Sequence, residues 1–310
     1  MRSLTEALRT ILPVLLMLSL GALCRRKKLI SREGVQALKT VAVQIALPAT
    51  LLHTFAVTQY SLTDAIIPLL MYLLCVLAWL LGKALAPRLG LTGTLVPFLT
   101  TGFEAGMLGY ALFTLLYGSG RIAEFARIDL GQVLFVFTLY KVLLGRAEGK
   151  RAEPGRLLRE MLLSPIILAI LAGVLLGATG LYRALVPSGA AGILDACTDF
   201  ISAPAAALIL LSVGYDLVFR DIPWRATCRT VGLRLAILAV LGGALTALLR
   251  LLWPQLHPEA AIVMMFLLPP PFVLPVFAES AEERTYVSAV LSACTLAAVA
   301  GFAVLAVLRL

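Results

Sequence analysis

Charged residues are scarce in this sequence. They make up 14% of its 310 residues, while 61% are hydrophobic, and a soluble domain carries about a quarter charged residues. Most of the chain therefore cannot face water, which excludes one large soluble core. Segments of about ten residues with alternating polarity, which a membrane β-barrel would need, are also missing. Helices are the remaining way to satisfy the backbone in lipid.

Residues that form metal sites and disulfide frameworks are sparse as well. The two histidines and five cysteines include no C-x-x-C pair, and neither histidine has a metal-ligand spacing to a cysteine or carboxylate. We therefore expect no cofactor and no metal. The formal charge of +9 comes from basic residues at the ends of apolar blocks, whereas nucleic-acid binding would place them along one solvated face.

The chain does contain a series of apolar blocks of about 17 to 25 residues, the length a helix needs to cross a bilayer. The predicted spans are approximately 7–24, 35–57, 64–86, 93–117, 127–144, 161–181, 190–217, 228–252, 259–279 and 286–308. Most arginines and lysines, beginning with Arg25 and Arg26, share one side of this arrangement. By the positive-inside rule, we predict an all-α, multi-pass protein of the cell membrane with both termini outside.

The longest hydrophilic stretch, residues 145–160, divides the ten predicted spans into five and five. The two halves share a proline, a glycine eight residues later and a proline in the next span: Pro13, Gly21 and Pro48, then Pro165, Gly173 and Pro204. The alternative is that these matches between the two halves arose by chance, because prolines are common in membrane helices. Since five is odd, we predict an inverted repeat of residues 1–150 and 151–310 within one membrane unit, as in many secondary transporters.

Two corresponding spans are broken near their middle. The fourth has three glycines in eight residues, each costing a helix roughly 1 kcal/mol relative to alanine, and the ninth has three consecutive prolines, which cannot continue a helix. Such backbone is tolerated only inside protein or beside a wet cavity, so the breaks predict a substrate site; packing kinks are the alternative. The predicted substrate-binding residues there are Gly102, Glu104, Gly106, Gly109, Pro269, Pro270, Pro271 and Pro275.

Glu104 is the ionisable residue of the fourth-span break. Ionisable groups within spans usually face a functional cavity, and apolar surroundings disfavour a charged carboxyl group. We therefore predict that Glu104 takes up a proton during transport; a position nearer the interface would leave it simply solvated. Gln44, which precedes Pro48, and Asp129 with Gln132 at the opening of the predicted fifth span are further substrate-binding candidates. Each is explained equally well as a residue that hydrogen-bonds between helices.

The order of these features resembles the auxin efflux carrier family, whose microbial members include permeases for malate and related organic acids. The resemblance covers nearly the whole chain and rests on the two broken spans and two short motifs. These are Gly21 followed by Arg25-Arg26-Lys27-Lys28-Leu29-Ile30-Ser31, and Ala46-Leu47-Pro48-Ala49. It implies a fold similar to sodium/proton antiporters and bile-acid symporters, with broken helices that cross at the substrate site. The family's fourth span typically has asparagine and proline where this sequence has Glu104 and Ala111.

Together, these features predict a secondary transporter, not an enzyme, that moves a small organic anion such as a carboxylate by alternating access. Half-helix N-termini would bind the carboxylate, and Glu104 would carry a coupled proton. A sodium-coupled symporter of the bile-acid-symporter type is the alternative for the coupling ion. A passive channel, or an intramembrane aspartyl protease using Asp216 and a second facing aspartate, are alternatives of other classes. The sequence is compatible with a homo-oligomer.

Overall fold

The computed structural model describes residues 4–58, 63–147, 154–217, 222–254 and 258–308. Within these ranges every regular element is a helix, as expected where the backbone must satisfy its own hydrogen bonds in lipid. In the same residues, seven helices are long and apolar enough to cross a membrane. A helical, multi-pass architecture is therefore confirmed. The predicted boundary between residues 150 and 151 lies outside the described ranges.

The helices are numbered in chain order. They are α1 (Leu4–Lys27), α2 (Arg32–Val57), α3 (Thr63–Leu85), α4 (Val96–Leu99), α5 (Ala105–Tyr117), α6 (Ser119–Arg146), α7 (Pro154–Leu162), α8 (Pro165–Ala178), α9 (Leu181–Leu185), α10 (Ala190–Asp216), α11 (Trp224–Leu252), α12 (Glu259–Leu267) and α13 (Ala281–Leu308). Single π-helical turns occur within α2 and α6 and open α5, and α10 is interrupted by a turn at Ala203 and Pro204. Short 3-10 helices cover Pro87–Leu89 and Leu274–Phe277.

Three of the predicted spans contain only short helices. The fourth is divided into α4 and α5, the sixth is the 14-residue α8, and the ninth holds the nine-residue α12. The helix that contains the predicted fifth span begins before that span, because α6 begins at Ser119 rather than near residue 127. Asp129 and Gln132 therefore lie inside α6 instead of opening it. Arg121, Glu124 and Arg127 interrupt the apolar run, which is why hydrophobicity placed the start too late.

Eleven of the thirteen helices form two bundles. Bundle A consists of α1, α2, α8 and α10, in which α1 packs against α10, and α2 packs against α8 and α10. Bundle B consists of α3–α6 and α11–α13, in which α3 packs against α6 and α11, and α11 packs against α12 and α13. The bundles meet where α10 packs on α5 and where α1 packs on α13.

One end of the molecule carries a concentration of basic residues, and we call it the basic end. Arg25 lies in the last turn of α1 and Arg32 opens α2. Arg25 Nη1 donates to the Leu217 carbonyl oxygen at 2.9 Å, and Lys39 pairs with Asp216. These contacts join α1 and α2 to the end of α10. The 26 residues of α2 lead from the basic end to the opposite end.

Candidate functional site

The fourth-span break comprises residues 100–104, between α4 and α5. Gly102 has a φ of +67°, a left-handed conformation that glycine adopts without steric cost. Two threonine hydroxyls fasten this segment to α3: Thr100 donates to the Ala78 carbonyl oxygen at 3.3 Å, and Thr101 donates to that of Cys75 at 2.7 Å. The glycine lets the backbone turn, and the threonines hold the turn in one place.

The ninth-span break begins where α12 ends at Leu267. Pro269, Pro270 and Pro271 follow and are all buried. Each lacks an N–H group and clashes with the preceding turn, so the helix cannot continue. The chain regains helical geometry in the 3-10 helix Leu274–Phe277, after Leu274 N–H donates to the Pro271 carbonyl oxygen at 3.2 Å.

Two hydrogen bonds join the breaks directly through Glu104. Its backbone N–H donates to the Pro269 carbonyl oxygen at 2.9 Å. Its carboxyl Oε2 accepts from the Phe272 N–H at 2.6 Å, and such a bond is stronger when the carboxyl group is ionised. Glu104 is half-buried. The fourth-span carboxyl group therefore occupies the first free amide donor after the prolines.

Glycines allow the two breaks to approach each other closely. A Cβ atom added to Gly102 would lie 3.1 Å from the Cγ and Cδ atoms of Pro271. One added to Gly109 would lie 2.7 Å from a methyl carbon of Leu268. Gly102 thus lies against Pro271, and Gly109 lies against Leu268, the residue before the three prolines.

Arg234 of α11 binds both breaks at once and is 1% exposed. Its Nη1 donates to the Leu99 and Thr101 carbonyl oxygens at 2.9 and 3.3 Å. Its Nη2 donates to those of Gly102 and Leu268 at 2.7 and 2.9 Å. Helix ends leave such carbonyls unsatisfied, and a hydrogen bond to a charged group contributes about 1.5–3 kcal/mol. The guanidinium group therefore stabilises both half-helix ends.

Asp129 and Gln132 support the fourth-span break from α6. Asp129 Oδ2 accepts from the Tyr110 hydroxyl at 2.9 Å, and Asp129 Oδ1 accepts from Gln132 Nε2 at 2.9 Å. Gln132 Oε1 in turn accepts from the Phe103 N–H at 3.4 Å. Asp129 and Gln132 are 2% and 5% exposed. Asp129 and Gln132 thus bind residues on both sides of the π-helical turn Ala105–Gly109: Gln132 binds Phe103 before it, and Asp129 binds Tyr110 after it.

A cavity of about 430 Å³ extends from the basic end to the ninth-span break. Its lining residues are Arg25, Arg32, Val213, Tyr215, Asp216, Leu217, Phe272, Pro275, Ser288, Leu291, Ser292 and Thr295. A second cavity of about 220 Å³ lies at the opposite end. It is lined by α2, α6 and α10 through residues that include His53, Ser119 and Asp199. The first cavity reaches Phe272, whose amide binds Glu104.

Comparison with known proteins identifies the class of molecule that carries this site. A family model described as "Membrane transport protein" matches residues 6–305. The chain belongs to this family. It is the auxin efflux carrier family that the sequence resembles, so that prediction is confirmed. A relative from Methanothermobacter thermautotrophicus, described as an uncharacterized transporter, is 26% identical over 247 residues, covering 77% of this chain and 78% of the relative.

The remaining predicted residues lie around the breaks of this membrane transport protein. Gln44 is exposed in the π-helical turn Ala42–Ala46, which packs against Ala105–Gly109. Gly106 faces α2, because its Cβ position is 3.9 Å from a Leu47 methyl carbon. Gln44 and Gly106 thus lie on the bundle A side of the break. Pro275 lines the basic-end cavity.

Arg234 is the site residue of this transporter that sequence reasoning missed. Its signal was available, because a lone charge precedes an uncharged run that continues to residue 249, and ionisable residues within spans indicate function. Its closeness to the predicted span edge made it resemble an ordinary flanking basic residue. Its four acceptors are main-chain carbonyls, which side-chain chemistry in a sequence does not reveal.

The protease alternative requires two aspartates that face each other, and Asp216 and Asp129 have different partners in this transporter. Asp216, the residue behind the protease alternative, pairs with Lys39, whereas Asp129 bonds to Tyr110 and Gln132. The two carboxylates are therefore engaged by different partners. Within the described ranges, no group of three or more histidine, cysteine, aspartate or glutamate side chains could hold a metal ion.

Proposed function

We propose that this transporter is a secondary carrier for a small organic anion, such as a carboxylate, and that it couples transport to a proton through Glu104. The observation that carries the proposal is the bond from the Phe272 N–H to the Glu104 carboxylate at 2.6 Å. Phe272 also lines the basic-end cavity. The Glu104 side chain thus already binds the amide group that the carboxylate of a substrate entering this cavity would reach.

The charges around the cavity suit an anionic substrate. Arg25 and Arg32 contribute to its lining, and positive charge around a cleft raises the local concentration of anions. Asp216 also lies there, but its pairing with Lys39 offsets its charge. A substrate carboxylate would bind the Phe272 N–H in place of Glu104.

Competition between these two carboxylates links substrate to proton. An ionised Glu104 holds the Phe272 N–H and repels an arriving anion. A protonated Glu104 loses the charge that makes this bond strong and no longer repels the substrate. Proton and anion therefore favour each other's binding, so they move in the same direction as a symport.

Matching features of the two sequence halves support ten spans in two inverted five-helix repeats, residues 1–150 and 151–310. Gly21 of α1 packs against the backbone of α10, while Gly173 of α8 packs against the backbone of α2. A pseudo-twofold axis that exchanges the halves would exchange these two contacts. The packing of α3 on α6 and of α11 on α13 would be exchanged in the same way. Such symmetry underlies alternating access in many carriers.

Alternating access requires each end of the pathway to open in turn. The basic-end cavity includes Phe272 and Pro275 of the ninth-span break, whereas the opposite cavity is lined by α2, α6 and α10. We assign this conformation to the state open at the basic end. That end faces the cytoplasm if both termini lie outside the cell membrane. Bundle B would then move against bundle A to open the opposite cavity to the breaks.

Counterflow in liposomes tests the carrier proposal. Mono- and dicarboxylates are first screened by thermal shift at two pH values, because a ligand of the folded state stabilises it by mass action. Liposomes loaded with an unlabelled hit should transiently accumulate the labelled compound. Simple equilibration of the label, to the same level with and without preloading, is the behaviour of a channel and would contradict a carrier. Stabilisation by neutral or cationic solutes instead of carboxylates would contradict an anion substrate.

A further inference from the structure

Four carbonyl oxygens at the ends and breaks of the two broken spans converge on one side chain. Leu99, Thr101 and Gly102 supply three from the fourth span, and Leu268 supplies one from the ninth. All four accept hydrogen bonds from Arg234 at 2.7 to 3.3 Å. In sodium-coupled carriers, unwound carbonyls of this kind coordinate the ion. These four oxygens, which could otherwise bind sodium, bind the guanidinium group instead.

We propose that Arg234 is a tethered cation in the position where a sodium-coupled carrier would hold its ion, and that this transporter therefore neither binds nor requires sodium there. The inference rests on the proposed function only in treating the two breaks as the transport site. It removes a sodium ion at these carbonyls as the alternative to a proton.

Electrostatics supports exclusion of a second cation. The guanidinium group lies between the two breaks, with Nη1 on the fourth-span side and Nη2 bridging to Leu268. A sodium ion bound to the same oxygens would lie at contact distance from this charge, where repulsion is strong because little water screens it. The Phe103 ring lies 5.3 Å from the guanidinium carbon, and cation–π attraction further favours Arg234 in its position.

The Arg234 guanidinium group differs from a bound sodium ion because it is permanently attached to the protein. Arginine remains protonated in proteins, and Arg234 is 1% exposed and attached to the 29-residue helix α11. It cannot dissociate at one side of the membrane and bind again at the other. It therefore stabilises both half-helix ends without linking transport to an ion gradient, and Glu104 remains as the carboxyl group that bonds directly from one break to the other.

The test compares thermal stability of purified wild type, R234A, R234K and R229A in sodium, potassium or N-methylglucamine chloride at constant ionic strength. Arg229 is the matched control, because it lies on the same helix, is exposed and donates only to Leu89 O in the described contacts. Wild type and R229A should show no saturable response to sodium. R234A should gain a response to sodium or to millimolar guanidinium, with Tm rising by about 2 °C or more at ten times the dissociation constant. R234K should retain a tethered charge and remain insensitive.

Saturable stabilisation of wild type by sodium, or sodium-dependent uptake by wild type, would overturn the proposal. A folded R234A that responds to neither cation would also overturn it. If R234A does not fold, the thermal stability of wild type and R234K still tests the proposal, because sodium must leave the stability of both proteins unchanged. These readouts need no substrate. If carboxylate counterflow fails while sodium leaves the stability of wild type unchanged, the result contradicts the proposed function but not the role of Arg234.

Discussion

The two breaks reach similar backbone irregularity by different means. The fourth-span break depends on partners outside its own segment: Thr101 is fastened to α3, and the Phe103 N–H is bound by Gln132 of α6. The ninth-span break is built into the covalent structure of three prolines, which end a helix in any surroundings. Side-chain changes around the fourth break should therefore alter its shape more than single changes in the ninth.

The largest effect is expected where the two breaks touch. Gly102→Ala would force a side chain into a left-handed backbone conformation, at about 1–2 kcal/mol, and place Cβ 3.1 Å from the Pro271 ring. We expect a total loss of about 2–3 kcal/mol in stability, since crowding adds to backbone strain. Unfolding of the purified protein in detergent would measure it.

Two further variants separate the causes of that loss. Gly180 also has positive φ, in the left-handed region, but a Cβ there meets nothing within 4 Å, so Gly180→Ala reports backbone strain alone. Pro271→Ala removes the crowding ring atoms and should partly rescue Gly102→Ala, with a coupling energy of about 0.5 kcal/mol or more. Equal losses for G102A and G180A, without coupling, would show that contact between the breaks contributes nothing.

A moderate effect is expected from Tyr110→Phe. This change removes the hydroxyl that donates to the buried Asp129 carboxylate at 2.9 Å, and a buried group that loses its partner costs about 1–3 kcal/mol. Thermal unfolding would measure the loss. Tyr72→Phe is the matched control, because its hydroxyl contacts Thr138 at 3.3 Å in a part-buried position. A loss no larger than that of Y72F would contradict support of the fourth break by α6.

The smallest effect is expected in the proline segment. Pro275 lines the basic-end cavity at the start of a 3-10 helix, where a new N–H group can be hydrated. Pro275→Ala should change stability by less than about 1 kcal/mol, chiefly through the entropy of the unfolded chain. Carboxylate counterflow should persist, because the three consecutive prolines still end α12. A loss as large as that of Gly102→Ala would reverse the contrast between the breaks.

The sequence predicted features that local composition determines. Apolar blocks of spanning length indicated helices in lipid, clustered glycines or prolines marked where helices fail, and Glu104 was conspicuous as a carboxyl group between glycines. Contacts between distant residues could not be predicted. Neither the bond from Phe272 to Glu104 nor the carbonyls around Arg234 can be read from side-chain chemistry, because the donors or acceptors belong to the backbone. The start of α6 was misplaced because polar residues of its first turns resemble a loop.

The pH dependence of uptake tests the central claim, that Glu104 links proton to anion, most directly. Carboxylate uptake into proteoliposomes would be measured for wild type, Glu104→Gln and Glu282→Gln, an exposed carboxylate that serves as control. Uptake by wild type and E282Q should rise as external pH falls, since a neutral Glu104 releases the Phe272 N–H. E104Q should lose this dependence and no longer accumulate substrate in response to a pH gradient. An E104Q variant with the pH profile and gradient response of wild type would contradict the account.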